Sequence, residues 1–145
     1  MGGGEARGTR AGWLREFLEF VEDRLKDVEG IIIFGSVAKG QEGIWSDVDV
    51  MVVSDDFKGM PIPDRIGILL EGARGRIEPL GYTYEELARM VRRASPLALG
   101  ALVEGRFLKA SELLLELAER ASRAYTRVGR VWVPRDRKAC QGQGT

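Results

Sequence analysis

Apolar side chains recur along the first third of the chain with two different spacings. Over residues 13–28 they stand three and four positions apart, with acidic residues on the other side, and this pattern predicts an amphipathic helix. Gly30 is predicted to stop that helix. Residues 31–34 (IIIF) are β-branched and aromatic, which is typical of a short buried strand, and residues 47–53 predict a second strand.

The rest of the chain continues to alternate between helical and extended patterns. Thr83 with Glu86 three residues later forms the sequence of a capping box, and Ser95 before Pro96 is a second helix start. The alternation predicts an α/β (α+β) fold in which helices pack on a small sheet. The predicted elements are a helix over 65–73, an extended segment over 76–79, helices over 83–93 and 95–103, a strand over 105–108 and a helix over 111–125.

A chain of 145 residues is long enough for one domain with a sizeable core. We expect the domain to span 11–126, preceded by a flexible glycine-rich segment over 1–10. Residues 127–145 are expected to form a basic, flexible tail. Within it, the apolar run 131–133 is compatible either with a short strand followed by a tail or with disorder throughout.

Charge and composition exclude several classes of function. The 22 basic and 22 acidic residues cancel, so no overall field attracts nucleic acid or an anionic membrane. No apolar run is long enough for a membrane span and no secretory signal is visible, so a cytoplasmic location is expected. The chain has no histidine, which excludes a Ser-His-Asp triad and histidine-ligated zinc. Catalysis would have to use carboxylates, Lys, Tyr, Ser or a hard metal ion.

Asp47 and Asp49 occupy alternate positions at the start of the second predicted strand. Side chains at i and i+2 of a strand share a face about 6.5–7 Å apart, so these two carboxylates should project together. Like charges this close repel, and a divalent cation such as Mg²⁺ is a natural partner for them. The alternative is that both residues lie at an exposed strand start without any ligand.

Gly35 and Ser36 follow the first predicted strand directly. A glycine followed by a serine that opens a turn can present backbone N–H groups and a hydroxyl to an anion. The alternative is a tight turn that needs glycine for its backbone conformation. Gly35 and Gly40 have the spacing of a P-loop, but Gln41 and Glu42 stand where that motif requires Lys and Ser or Thr.

The segment from Ile32 to Ser36, followed by Ala38-Lys39-Gly40 and by SDVDV over 46–50, resembles the signature of the DNA polymerase β-type nucleotidyltransferase superfamily. In that signature an apolar strand ends in Gly-Ser or Gly-Gly, and Asp-x-Asp or Asp-x-Glu follows about ten residues later. Ten residues separate Ser36 from Asp47. The resemblance covers roughly residues 12–110. Because the chain is short, it most resembles the minimal nucleotidyltransferases, a small prokaryotic and archaeal antitoxin-like group.

The resemblance implies a nucleotidyltransferase fold with a small mixed sheet and a site built from three acids. In the superfamily two strand acids and a third acid on a following strand bind two divalent ions, here Mg²⁺, and the third acid acts on the attacking hydroxyl. Carried over to this chain, these acids are Asp47, Asp49 and Glu78. Glu78 is the only carboxylate of the third extended segment, and many relatives have Asp there. The alternative for Glu78 is a charged residue that ends an edge strand.

The same resemblance assigns nucleotide phosphates to Gly35 and Ser36, with Lys39 adding charge unless it is simply a solvated lysine. The implied activity is Mg²⁺-dependent transfer of a nucleoside monophosphate, with AMP from ATP expected, to a hydroxyl. The implied acceptor is a partner protein, such as a helical HEPN toxin, and a nucleic-acid acceptor is not expected. The alternative function is a catalytically silent binding module that neutralises a partner by forming a complex. Neither the oligomeric state nor the acceptor follows from the sequence.

Overall fold

The structure is a computed structural model that describes residues 8–35 and 47–135. In this part of the chain, helices alternate with strands over most of the length, and a short hairpin follows the last helix. The elements are α1 (Arg10–Arg24), β1 (Val28–Phe34), β2 (Val48–Ser54), a 3₁₀ turn (Asp55–Phe57), α2 (Ile62–Leu70), β3 (Ile77–Tyr82), α3 (Tyr84–Arg92), α4 (Pro96–Glu104), β4 (Arg106–Ala110), α5 (Glu112–Ala124), β5 (Tyr125–Val128) and β6 (Val131–Pro134).

The first four strands form one mixed sheet in the order β3-β2-β1-β4. β1 is antiparallel to both β2 and β4, whereas β2 and β3 are parallel. Helices α1 and α2 cover one face through a core that includes Phe17 and Leu69, and α3, α4 and α5 cover the other through a core that includes Leu99 and Leu114. The predicted fold class, a small mixed sheet flanked by helices, is confirmed.

The boundary between α1 and β1 differs from the prediction. The helix ends at Arg24, with Leu25 already extended, and the strand begins at Val28. Gly30 therefore lies inside β1 and does not stop the helix. A Cβ at this position would collide with the Leu114 side chain and stand 2.9 Å from the carbonyl oxygen of Lys109. Gly30 is needed because β4 and α5 approach the strand closely, which no local pattern reveals.

Residues 125–134 form a hairpin where the sequence analysis expected a tail from residue 127. Arg127 pairs with Trp132 across β5 and β6, and Gly129 supplies the positive φ of 62° at the turn. Trp132 is buried against the core of α3, α4 and α5, and this burial is why the hairpin is part of the fold. Of the two alternatives for 131–133, the strand is the one observed.

The N-terminal boundary also moves. Thr9 caps α1 by accepting a hydrogen bond from the Gly12 amide, so residues 9 and 10 belong to the folded unit. Residues 1–7 and 136–145 lie outside the described residues, and the expectations for them stay predictions. None of the helices in 8–35 and 47–135 has the length and apolar character needed to cross a membrane.

Arg65 of α2 is almost completely buried and connects three elements. Its guanidinium donates to both Glu86 oxygens, at 2.5 and 2.9 Å, and to the carbonyl oxygens of Met60 and Gly81. Glu86 also completes the predicted capping box with Thr83. The hydrogen bond from Arg65 lowers the pKa of Glu86 below its ordinary 4.5, helped by the Thr83 amide and opposed by burial. This pair holds α2, β3 and α3 together.

We expect Glu86→Gln to lower the free energy of unfolding by about 2 kcal/mol, because it leaves a buried guanidinium without its counter-charge while the cap is retained. The cost is below that of a fully buried pair because the Glu86 side chain is 28% exposed. Urea denaturation measures the change. The control is Glu85→Gln, an exposed residue in the same helical turn, for which a change below about 0.5 kcal/mol is expected. Equal effects would contradict the assignment.

The Arg65–Glu86 pair also predicts how the difference in unfolding free energy between the wild type and Glu86→Gln depends on pH. A carboxyl whose pKa is lowered by folding stabilises the protein above its unfolded pKa and loses that contribution as the pH falls through its folded pKa. The difference between the wild type and Glu86→Gln should therefore be complete at neutral pH and shrink below the ordinary value of 4.5.

For the hairpin, we expect Trp132→Ala to lower the free energy of unfolding by about 3–5 kcal/mol, because the indole is 7% exposed and its removal leaves a cavity. Val131, its neighbour on β6, is 60% exposed, so Val131→Ala should cost less than about 0.5 kcal/mol. Denaturant unfolding of both variants is the measurement. A near-zero effect of Trp132→Ala would mean that residues 127–135 do not pack on the core.

Candidate active site

The end of β1 is shaped by Gly35. Its φ of 80° lies in the left-handed region that favours glycine. A Cβ at Gly35 would also stand 2.5 Å from the Oδ2 atom of Asp49 on β2. Two independent features, the backbone angle and the close carboxylate, therefore favour glycine here.

The strand register brings the predicted acids to one place. Phe34 pairs with Asp49 across β1 and β2, and Asp49 pairs with Glu78 across β2 and β3. Asp47 stands just before β2, two residues from Asp49 and so on the same side of the chain. Asp47, Asp49 and Glu78 thus form a cluster, called the carboxylate cluster below, beside Gly35.

The carboxylate cluster lies on one definite face of the sheet. Val48, Val50 and Val52 point into the core under α1 and α2, so Asp49 faces the side of α3, α4 and α5, as Met51 and Val53 do. The valines of β2 and Asp49 therefore lie on opposite faces of the sheet. Asp49 is half-buried and Glu78 is exposed at the edge of the sheet, so the cluster is open to solvent on one side.

The carboxylates act on one another electrostatically. Burial, followed by the charge of Asp47, raises the pKa of Asp49. The pKa of Glu78 is raised first by a hydrogen bond that its protonated carboxyl donates to Asp47, and further by the charges of Asp47 and Asp49, with Arg76 opposing. The strand register supports this, because Glu78 is the partner of Asp49 on β3 and so lies on the same face of the sheet. Repulsion of this kind is relieved when a cation binds.

Arg76 is a basic side chain in contact with this cluster: its Nε donates to Oδ1 of Asp47 at 3.1 Å. It lies two residues before Glu78 and shares its side of the chain. Arg76 was not among the site residues predicted from the sequence. The pattern Arg76-Ile77-Glu78 placed it beside the third acid, but its contact with Asp47 depends on the pairing of β2 with β3.

Ser36 and Lys39, predicted to hold phosphates, lie outside the described residues. Within residues 8–35 and 47–135, no group of three or more His, Cys, Asp or Glu side chains has the arrangement of a formed metal site. The donors nevertheless have the right chemistry, because carboxylate oxygens suit Mg²⁺, which typically uses one or two of them together with substrate phosphates. The cluster fits a cation that is completed by its substrate better than one held in a closed cage.

The chain matches the family described as "Nucleotidyltransferase domain" over residues 14–113. It belongs to this family. The match covers both halves of the site, from Gly35 through the two aspartates to Glu78, and it ends before α5 is complete. Among curated proteins, no relative matches the sequence.

Solved structures share the fold. A candidate nucleotidyltransferase from Sulfolobus solfataricus is 26% identical, with 61% of this chain and 80% of that chain covered and a TM-score of 0.51. A toxin–antitoxin complex with AMP-PNP is 16% identical, covers 74% of this chain and 82% of its own, and also has a TM-score of 0.51. A mutant of the toxin–antitoxin pair MntA–HpeT is 16% identical, with 75% of this chain and 82% of that chain covered and a TM-score of 0.51.

The geometry at Gly35 predicts an unusually high cost for a methyl group. Gly35→Ala should lower the free energy of unfolding by at least about 1 kcal/mol more than Gly59→Ala, because Asp49 must move aside. Gly59 is a matched control, since its φ is 76° but a Cβ there meets no atom within 4 Å, which leaves only the backbone strain of about 1–2 kcal/mol. Chemical denaturation compares the two. Equal costs would show that Gly35 and Asp49 are not in contact.

Proposed function

We propose that this protein is a Mg²⁺-dependent nucleotidyltransferase that transfers a nucleoside monophosphate, AMP from ATP, to a hydroxyl group of a partner protein. The observation that carries the proposal is the convergence of Asp47, Asp49 and Glu78 beside Gly35, which results from the pairing of β2 with β1 and β3. Absence of histidine from the chain leaves carboxylates as its principal proton acceptors near neutral pH.

The proposed reaction is an in-line displacement at the α-phosphorus. The acceptor oxygen forms a bond to that phosphorus, the bond from phosphorus to the bridging oxygen breaks, and pyrophosphate leaves. Glu78 takes the hydroxyl proton, since its carboxyl is exposed to an incoming acceptor and lies next to Asp49 in the sheet.

Three carboxylates are proposed to hold the magnesium: Asp47, Asp49 and Glu78. When bound, Mg²⁺ would neutralise charge on the phosphates and on the entering and leaving oxygens. The backbone at Gly35, together with Ser36 and Lys39, is proposed to hold the β- and γ-phosphates, for which the absence of a Cβ at Gly35 leaves close access. Arg76, already beside Asp47, is placed to turn toward a phosphate once Asp47 binds the cation.

A protein acceptor is supported by the shared fold with components of toxin–antitoxin complexes, one of them solved with an ATP analogue. We propose a helical toxin of the HEPN type as the partner. The described part of the chain has a four-stranded sheet flanked by helices and a short hairpin, and no second domain beside the carboxylate cluster that could form an acceptor groove. A partner would therefore have to present its own hydroxyl to the cluster. Such a protein would act where its partner is made, and we propose the cytoplasm.

The test is transfer of label from ATP to protein in an extract of the source cells with Mg²⁺. Label should transfer from α-³²P-ATP and not from γ-³²P-ATP, because AMP and not phosphate is moved. Asp49→Asn should reduce transfer by more than the roughly 10–100-fold typical of residues that only orient a metal ligand. The matched control is Asp55→Asn, an exposed residue just beyond the other end of β2, which should retain full activity.

Transfer from γ-labelled ATP would contradict nucleotidyl transfer. No α-label transfer, with a stable complex between the chain and a partner protein recovered from the same extract, would instead favour the silent binding module. Equal activity of Asp49→Asn and Asp55→Asn would remove the carboxylate cluster from the reaction.

A further inference from the structure

Beside the carboxylate cluster lies a cavity of about 270 Å³ that none of the assignments above uses. It is lined by residues from the end of β1, from one side of α4 and from β5: Phe34, Gly35, Pro96, Leu97, Gly100, Glu104 and Arg127. Gly35 is the shared residue, since it contacts Asp49 on one side and lines the cavity on the other. A ligand whose phosphates lie at Gly35 would therefore have this cavity within reach.

The walls of the cavity are mostly apolar. Phe34, Pro96 and Leu97 supply carbon surface, and the glycine at 100 leaves the middle of α4 open because a Cβ there would meet no atom within 4 Å. The volume is near the lower end of the roughly 300–1,000 Å³ typical of small-molecule sites. These dimensions and this lining suit a flat, largely uncharged group.

The polar end of the cavity is an ion pair with a fixed geometry. Arg127 donates from Nε and Nη2 to the two oxygens of Glu104, at 2.7 and 2.8 Å. Its guanidinium also lies 4.8 Å from the centre of the Trp132 ring. Contacts from Glu104 and Trp132 hold the planar guanidinium in place, and such a plane is a good stacking surface for an aromatic ring.

The charge of this end argues against a phosphate. Because Arg127 and Glu104 neutralise each other, the lining residues that the structure describes carry no net positive charge, and an anion would meet the Glu104 carboxylate. Neither argument applies to a nucleobase, because a nucleobase is neutral, aromatic and able both to donate and to accept hydrogen bonds.

We propose that this cavity binds the nucleoside of the nucleotide substrate, with the base against the Arg127–Glu104 pair. The inference rests on the proposed function, which places the phosphates at Gly35. It assigns substrate selection to α4 and to the C-terminal hairpin, two elements that carry none of the catalytic acids. Cavities along the outer helices, such as those lined by Leu117 and Tyr125 or by Ile62 and Met90, do not include Gly35.

Gly100→Leu tests the proposal by filling the cavity. Gly100 lies in a helix, where leucine is more favourable than glycine, and a Cβ there meets no atom within 4 Å. The variant should therefore fold with a Tm no lower than that of the wild type. Gly67→Leu is the matched control, a mid-helix glycine of α2 with equally empty surroundings, remote from the site in sequence and absent from the cavity lining. Binding is measured by calorimetry with Mg²⁺ and each of ATP, GTP, CTP, UTP and tripolyphosphate.

The wild type should bind at least one nucleoside triphosphate more tightly than tripolyphosphate. Gly100→Leu should weaken the binding of that nucleotide by about tenfold or more and leave the binding of tripolyphosphate unchanged. Gly67→Leu should change neither affinity. Arg127→Lys, which keeps the charge and loses the plane, should also weaken the nucleotide selectively.

Unchanged nucleotide binding by a folded Gly100→Leu would overturn the nucleoside site while leaving the proposed transferase intact. A wild type that binds tripolyphosphate as tightly as every nucleotide would overturn it as well. If the wild type transfers no label but binds a nucleotide more tightly than tripolyphosphate, and Gly100→Leu weakens that binding, the result would count against the proposed reaction and support the nucleoside site. The two proposals can therefore fail separately.

Discussion

The structure depends on one constraint, the burial of β2 on both faces. Every residue of this strand except Asp49 is buried, with Val50 and Val52 under α1 and α2 and Met51 and Val53 under the other three helices. A slip of one residue would exchange the two sets and drive the Asp49 carboxylate into an apolar core. The register of β2 is therefore fixed by hydrophobic burial, and the position of the carboxylates follows from it.

The site is arranged around this strand because its two neighbours run in different directions. β1 is antiparallel to β2, so its last residue and Gly35 lie beside the start of β2. β3 is parallel to β2, so its start, with Glu78, lies at the same end. One end of the sheet thus contains Gly35 and three acids, which come from separate parts of the chain. The mutual repulsion of those acids is tolerated because the cluster is open to solvent and to a cation.

Most of the elements and part of the site could be predicted from local patterns. The periodicity of α1, the capping box of α3 and the alternation in β2 are all local, and each predicted element type was correct. The mispredictions have another origin. Gly30 looked like a helix stop because its real neighbours, Leu114 and Lys109, are about eighty residues away in sequence. The hairpin looked like a tail because the core that buries Trp132 is assembled from α3, α4 and α5.

The sequence by itself determined which residue types are available at the candidate site: carboxylates at Asp47, Asp49 and Glu78, the pair Gly35-Ser36, and no histidine. Their spacing along the chain carried the family resemblance, because short-range geometry within a strand is set by covalent structure. Tertiary structure decided what those residues meet. It placed Glu78 beside Asp49, Arg76 on Asp47, and Arg127 with Glu104 beside Gly35. These contacts arise from strand pairing and helix packing across long sequence separations, which no local pattern encodes.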